Sequence, residues 1–279
     1  CGSDLHGFLG EAGTRRAPGL IMGHEAAGII YELGQNVKGI NIGDRVALNP
    51  AIACGQCNSC RNGWLNLCEN KSIFGSSMLN FKNGAMCEYM CVPSSSVIQI
   101  PDELSFEEGA MIEPSCNGFH LAMRSGALPG DKVVVFGTGV IGLVIIKALK
   151  IMEYSTVIGV DIADWKLEVA KQYGADIVLN PKRVDVVEEI KKLTDNRGVD
   201  IAVEAVGSKH TYTDALNCIR KRGTLCALGF HDKIIELPSQ PLLFNEITII
   251  GNTGYINETD VFIDLVAKKS LDVNHIVTH

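Results

Sequence analysis

Cys54, Cys57, Cys60 and Cys68 form a C-x2-C-x2-C-x7-C run. Four thiolates this close can enclose one tetrahedral zinc with no open position, so the segment is expected to fold around a structural metal and to leave the chemistry elsewhere. Disulfides and an iron–sulfur cluster are the alternatives for the same residues. Nothing else in the sequence points to electron transfer. A long chain with four of its ten cysteines in one loop-like segment favours reduced, metal-bound thiolates in a cytoplasmic protein.

At 279 residues the chain is long enough for two domains. Its formal charge of -7 is interrupted by no Lys/Arg cluster, which argues against a nucleic-acid partner. The longest apolar run, Val140 to Ile146, ends at Lys147, too short to span a bilayer. No signal peptide opens the sequence. It starts at Cys1 rather than Met, and the strand-like stretch Asn274 to Thr278 closes it without a partner, so both ends are expected to be incomplete.

Residues 1–123 read as a small, irregular β-barrel domain. The strand-like runs Ala26 to Glu32 and Arg45 to Asn49 alternate with turn signals at Gly34, Asn36 and Asn41 to Asp44, and Gly84 to Pro93 reads as extended. Pro101 to Met111 has helical spacing. Residues 124–279 follow a different pattern, with the last few starting a return to the first domain. Strands are expected at Val133 to Phe136, Thr156 to Val160, Ile177 to Leu179, Ile201 to Val203, Thr224 to Leu228 and Ile247 to Ile250. Helices are expected at Val140 to Met152, Lys166 to Tyr173, Val184 to Leu193 and Tyr212 to Ile219. Apolar strands alternating with helices predict an α/β fold with a doubly wound parallel sheet.

The string Gly137-Thr138-Gly139-Val140-Ile141-Gly142 lies where the first of these strands turns into the first helix. Gly137 permits the turn, Gly139 lets a pyrophosphate approach the backbone, and Gly142 lets the helix pack closely. Free N–H groups at the helix start would meet the negative charge. Asp161, nineteen residues beyond Gly142, is placed to accept from the ribose hydroxyls of NAD and to repel the extra phosphate of NADP. The plainer reading is a turn followed by a helix cap. Gly207 is a second close-approach position for the cofactor, or an ordinary loop glycine.

A second ligand set lies in the first domain. Cys1 opens Cys-Gly-Ser-Asp-Leu-His, and His24-Glu25 sits in Gly-His-Glu-Ala-Ala-Gly. Cysteine, imidazole and carboxylate together make a zinc site that can keep a position open. Taken singly, His24 reads as a satisfied core histidine and Cys1 as a frayed end.

With Gly43-Asp44-Arg45-Val46, the cysteine quartet and the glycine loop, these strings resemble the medium-chain dehydrogenase/reductase family, in particular its zinc-dependent alcohol and polyol (sorbitol-type) dehydrogenases. The resemblance covers essentially the whole chain. It implies a GroES-like catalytic domain beside a Rossmann domain for NAD, with one catalytic and one structural zinc. It further implies that Cys1 and His24 bind the catalytic zinc, and that Glu25 and Glu113 bind it directly or through water, with Cys116 as a rival ligand. Asp4 would orient the zinc-binding histidine. Ser3 would begin removal of the substrate proton and His6 would finish the relay. Turn capping is the simpler role for Ser3 and Asp4.

The implied reaction moves a hydride between a secondary alcohol and NAD, giving a ketone. Glu113-Pro114 favours a polyol or sugar alcohol; threonine, butanediol and sugar-alcohol phosphates are the competing substrates. Ser76, Ser77 and Lys82, within Phe74 to Asn83, would line the entrance or form a solvated loop. A non-catalytic NAD-binding protein is the alternative from another class. Assembly as a homodimer or homotetramer follows from the same resemblance, with Ile247 to Ile250 as a candidate edge strand.

Overall fold

The computed structural model describes residues 1–11, 13–153, 156–230, 234–273 and 275–277. They fall into two compact units, Cys1–Cys116 with Tyr255–His279, and Asn117–Gly254.

The first unit opens with a helix the sequence had not suggested, α1 (Gly2–Phe8), in which Asp4 is buried. Strands β1 (Ala27–Ile29) and β2 (Arg45–Leu48) pair antiparallel in the register Ala27 to Ala47. After β3 (Ala51–Ile52), helix α2 (Asn58–Arg61) carries part of the cysteine quartet. Strand β4 (Ser72–Ile73) returns antiparallel to β3, and β5 (Val97–Gln99) pairs with β2. The expected barrel is represented among the described residues by these two short antiparallel sheets.

Gly84 to Pro93 forms no regular strand among the described residues. Its first residues do pair, with the Gly84, Ala85 and Met86 N–H groups donating to the Ile21, Gly23 and Met22 carbonyls. The chain then curls at Cys87, whose Sγ approaches the carbonyl oxygens of Gly84 and Tyr89 at 3.4 and 3.2 Å.

Helix α3 (Phe106–Ala110) starts in a capping box between Ser105 and Glu108. It packs tightly on β1, since a Cβ at Gly109 would lie 3.0 Å from Ala27 Cβ. Helix α4 (Ile112–Arg124) runs through the unit boundary.

Strand β6 (Lys132–Phe136), helix α5 (Val140–Ile151), β7 (Thr156–Val160), α6 (Asp164–Gln172), β8 (Ile177–Leu179), α7 (Val186–Leu193), β9 (Val199–Glu204), α8 (Lys209–Cys218), β10 (Ile219–Ala227), α9 (Ser239–Phe244) and β11 (Thr248–Gly251) build the second unit. All strand pairs are parallel and the order is β11-β10-β9-β6-β7-β8. The order therefore reverses between β6 and β9, the crevice where sheets of this topology take their ligands.

Val134, Phe136, Ile158, Val160 and Ala202 pack on one side with Ile190, Ala215 and Leu216 from α7 and α8. The alternate residues Val133, Val135, Val157, Ile201 and Val203 are equally buried, so both faces of the sheet are covered. Strand β10 begins earlier than expected, because the chain leaves α8 directly into the sheet and absorbs the irregularity at Arg222, whose φ is +58°.

Helix α10 (Thr259–Ala267) follows in the first unit, buried through Phe262 and Val266. The observed division departs from the one expected at 123/124. The charges of Glu113 and Glu258 act on both Cys116 and Tyr255, and the chain rejoins the first unit at Tyr255 rather than only in its last few residues. Of the strand-like stretch 274–278, residues 274 and 278 lie outside the described residues, and Ile276 closes a turn onto the Val273 carbonyl.

Candidate active site and metal centres

The backbone aims His24. Gly23 has φ +94°, a conformation that favours glycine, and it is walled in by two other glycines. A Cβ at Gly84 would lie 2.1 Å from the Gly23 carbonyl oxygen, and one at Gly75 would lie 2.5 Å from it. Three backbones meet where no side chain fits, and His24 leaves that junction buried.

Its ligand atom, with Cys1 Sγ and a Glu25 oxygen, belongs to a set whose members all lie within 4.8 Å of one another. His24 Nδ1 faces Asp4 Oδ2 at 3.1 Å, which leaves Nε2 as the nitrogen free for a metal. Burial lowers the pKa of His24, but contact with Asp4 and the charges of Glu113, Asp4 and Glu25 outweigh it and hold the ring above its usual value. Asp4 is raised by burial and lowered further by His24 and Arg16, settling at about 2. A carboxylate that stays ionised behind an imidazole, with a thiol and a second carboxylate in front, is a donor set that suits zinc.

The neighbours of this set are placed as follows. Ser3 Oγ lies 3.4 Å from Cys1 Sγ and accepts from Arg16 Nη2 at 3.0 Å. Arg16 Nε donates to Asp4 Oδ1 at 3.0 Å. His6 Nδ1 pairs with Glu11 Oε2 at 2.6 Å in an exposed contact. Glu113 is close enough for its charge to act on His24 but does not join the 4.8 Å ligand set. Cys116 is fully buried, burial with the charges of Glu258, Glu113 and Asp260 pushes its thiol up, and it does not join the 4.8 Å ligand set. Tyr255, buried beside these groups, makes no hydrogen bond through its hydroxyl among the described residues.

The quartet is assembled by α2 and the turn at Leu65–Leu67. All four Sγ atoms lie within 4.8 Å of one another, with Cys57 and Cys60 at 3.4 Å, far beyond disulfide length. All ten cysteines are free. Backbone N–H groups of Gln56 and Cys57 hold the Cys54 thiol down at about 6, whereas burial and its sister thiols push Cys60 up to about 12. The closed set of four sulfurs fits structural zinc, whose charge would hold all four as thiolates.

In the second unit Gly137 has φ +91°, and a Cβ there would strike Val206 Cγ2 at 2.7 Å. A Cβ at Gly142 would lie 1.9 Å from the Gly137 carbonyl oxygen. At Gly139 it would meet nothing within 4 Å, so the space above this residue stays clear for a pyrophosphate. Thr138 is buried, while Val140 and Ile141 begin α5.

Asp161 is turned onto the same loop. Its Oδ2 accepts from Thr138 N at 3.0 Å and from Thr138 Oγ1 at 3.3 Å, and its Oδ1 accepts from Ala163 N at 3.0 Å. Gly207 has φ +90°, and a Cβ on the facing Gly229 would come within 2.1 Å of its nitrogen, so the protein's own backbone already demands glycines here. The Gly207 N–H donates to Glu204 Oε1 and Oε2 at 2.9 and 3.0 Å. Glu204, fully buried, also accepts from Val206 N at 3.1 Å and Thr211 Oγ1 at 2.6 Å.

Arg16, Tyr255 and Glu204 had not been singled out from the sequence. A carboxylate inside the apolar run Ile201 to Val206 was the one available signal, and it marked Glu204.

Residues 1–102 match the alcohol dehydrogenase GroES-like domain, and residues 140–268 match the zinc-binding dehydrogenase domain. A sorbitol dehydrogenase of Bacillus subtilis is 36% identical over 284 residues, spanning 100% of this chain and 79% of the relative. The chain belongs to the zinc-binding medium-chain dehydrogenase/reductase family. An L-idonate 5-dehydrogenase of Vitis vinifera is 35% identical over 289 residues, covering 100% of this dehydrogenase and 77% of the relative. The crystal structure of an Escherichia coli oxidoreductase of unknown specificity superposes with a TM-score of 0.93 at 31% identity, covering 100% of this chain and 80% of that one.

The dehydrogenase is therefore an NAD- and zinc-dependent oxidoreductase acting on a small alcohol or polyol, with a cysteine quartet fitted to structural zinc and a Cys/His/Glu set fitted to catalytic zinc. No helix among the described residues is long and apolar enough to cross a membrane.

Proposed function

We propose that this dehydrogenase oxidises a secondary hydroxyl of a polyol or sugar alcohol to the ketone, with NAD reduced to NADH and one proton released. The convergence of Cys1, His24 and Glu25 within 4.8 Å carries the reading, because it is a donor set that can leave a coordination position for substrate. Zinc held there supplies a Lewis acid for the substrate oxygen. Gly137 to Gly142, Asp161 and Gly207 would hold NAD, which would supply the hydride acceptor.

The remaining steps belong to the chain. Ser3 Oγ accepts the hydroxyl proton as it gives up its own, which His6 carries on to solvent. Asp4 holds the His24 ring through Nδ1. Glu113 would hold the zinc directly or through water. The activities in the names of the sorbitol and L-idonate relatives support the polyol class of substrate.

The test is NADH production from a panel of polyols, diols, sugar-alcohol phosphates and L-threonine. The highest kcat/KM is expected with a polyol. Activity with threonine alone would make the protein an L-threonine 3-dehydrogenase; preference for a diol or a phosphate ester would select butanediol or sugar-alcohol phosphate oxidation.

The ten unpaired cysteines support a reducing, cytoplasmic setting. Strand β11 at the sheet edge supports a homodimer or homotetramer, which light scattering would measure.

A further inference from the structure

Arg16 is a buried cation with its donors directed at three acceptors. Its side chain is only 8% exposed. Nε donates to Asp4 Oδ1 at 3.0 Å, Nη2 to Ser3 Oγ at 3.0 Å, and Nη1 to the Arg15 carbonyl at 3.1 Å. The two side chains it grips are those placed behind the zinc-binding imidazole and beside the substrate proton. We infer that Arg16 is a positioning residue that locks Asp4 and Ser3 into one geometry, so that the zinc-binding ring and the proton-accepting hydroxyl are set together. The inference rests on the proposed roles of Asp4 and Ser3.

Three physical consequences support it. Asp4 has two oxygens, and with Oδ1 fixed by Arg16 its Oδ2 is left facing His24 Nδ1 at 3.1 Å. A guanidinium can only donate, so it occupies a lone pair of Ser3 Oγ and directs the hydroxyl hydrogen elsewhere. The fork itself is held from outside the site. Ser77 N donates to the Arg15 carbonyl at 3.0 Å, Ser77 Oγ donates to the Thr14 carbonyl at 2.8 Å, and Ala17 N donates to Ser77 Oγ at 2.8 Å.

The helix in front of Arg16 is shaped for it as well. A Cβ at Gly7 would lie 2.5 Å from Arg16 Cγ and 3.0 Å from its Cβ, so only glycine leaves room for the stem.

The experiment compares Arg16→Met, Arg16→Lys and Gly7→Ala with the wild type by zinc release to a chelator, the cobalt(II) spectrum of metal-exchanged protein, NAD affinity, thermal midpoint, and kcat and KM. For Arg16→Met the zinc of the Cys1/His24/Glu25 set is expected to leave about 10- to 100-fold faster and kcat to fall by a similar factor, with an altered cobalt spectrum. NAD affinity and KM stay near the wild-type values. Lysine keeps the charge but lacks the planar fork that fixes both acceptors at once, so Arg16→Lys is expected to slow zinc release again without recovering kcat. Gly7→Ala displaces the guanidinium with its charge intact and is expected to reproduce the Arg16→Met pattern.

Wild-type zinc release and an unchanged cobalt spectrum in Arg16→Met overturn the inference alone. A wild type that takes up zinc only at the quartet overturns the proposed zinc site and the inference with it.

Discussion

Glu204 stands directly opposite Phe136 in the parallel pairing of β9 with β6, so its carboxylate is buried one residue from the glycine loop. It gathers the N–H groups of Val206 and Gly207 and the hydroxyl of Thr211 into one turn. Val206 in turn covers Gly137. Glu204→Gln puts an amide donor where these donors converge, at a cost of about 1–3 kcal/mol for the unsatisfied group. The thermal midpoint is expected to fall by about 4–8 °C and the Kd for NAD to rise about tenfold, read by calorimetry. An unchanged Kd would show that this turn does not shape the cofactor site.

Two glycines of one loop should fail differently. Gly142→Ala drives a Cβ against the Gly137 carbonyl and should lower both stability and NAD affinity. Gly139→Ala meets open space, so its thermal midpoint should match the wild type while NAD binding is lost. Thermal melts with NAD titrations decide this; equal NAD binding in Gly139→Ala and wild type would argue against a pyrophosphate at this residue.

The two zinc sets should separate by readout. Cys60→Ser removes one thiolate from a closed quartet and is expected to lower zinc content and thermal stability together. Cys1→Ser or His24→Ala is expected to abolish turnover while NAD binding remains. Metal analysis beside activity checks both, and active Cys1→Ser and His24→Ala variants would remove the proposed catalytic site.

Asp200 provides a pH test remote from any metal. Burial raises its pKa, but the Lys132 N–H at 2.7 Å and the Arg220 guanidinium outweigh it and hold the carboxyl below its usual value. A depressed carboxylate stabilises the fold fully above its unfolded pKa of about 3.9, and that stabilisation is lost as pH falls through the folded value. Asp200→Asn is expected to cost about 2 kcal/mol at neutral pH, with the difference shrinking as the pH falls below about 4. Urea unfolding across this range measures it; a difference constant with pH would mean that charge plays no part.

The second unit was largely legible because buried parallel strands are continuous apolar runs, and Val133 to Phe136 and Thr156 to Val160 announce themselves. The quartet and the glycine loop were legible because their residues are neighbours in the chain. Helix α1 was not, since Gly2-Ser3-Asp4 has the composition of a turn and the buried Asp4 is secured by partners twelve and twenty residues away. Arg16 was hidden for the same reason, as Thr14-Arg15-Arg16 reads as a solvated charge until the fold brings it to Asp4. The return of the chain at Tyr255 escaped because Glu113 and Cys116, which it joins, lie more than a hundred residues earlier.

The turn of Asp161 onto Thr138 bears on how quickly NAD can be captured. A glycine-rich loop left to itself samples many shapes, and each must be abandoned before a pyrophosphate can settle. Here a carboxylate from the next strand fastens the loop by its amide and hydroxyl. A carboxylate has lone pairs to spare for a ribose hydroxyl without releasing either bond. If NAD binds on this loop as proposed, its capture begins from a cradle already set, and the rate should follow diffusion and charge rather than the rearrangement of the loop.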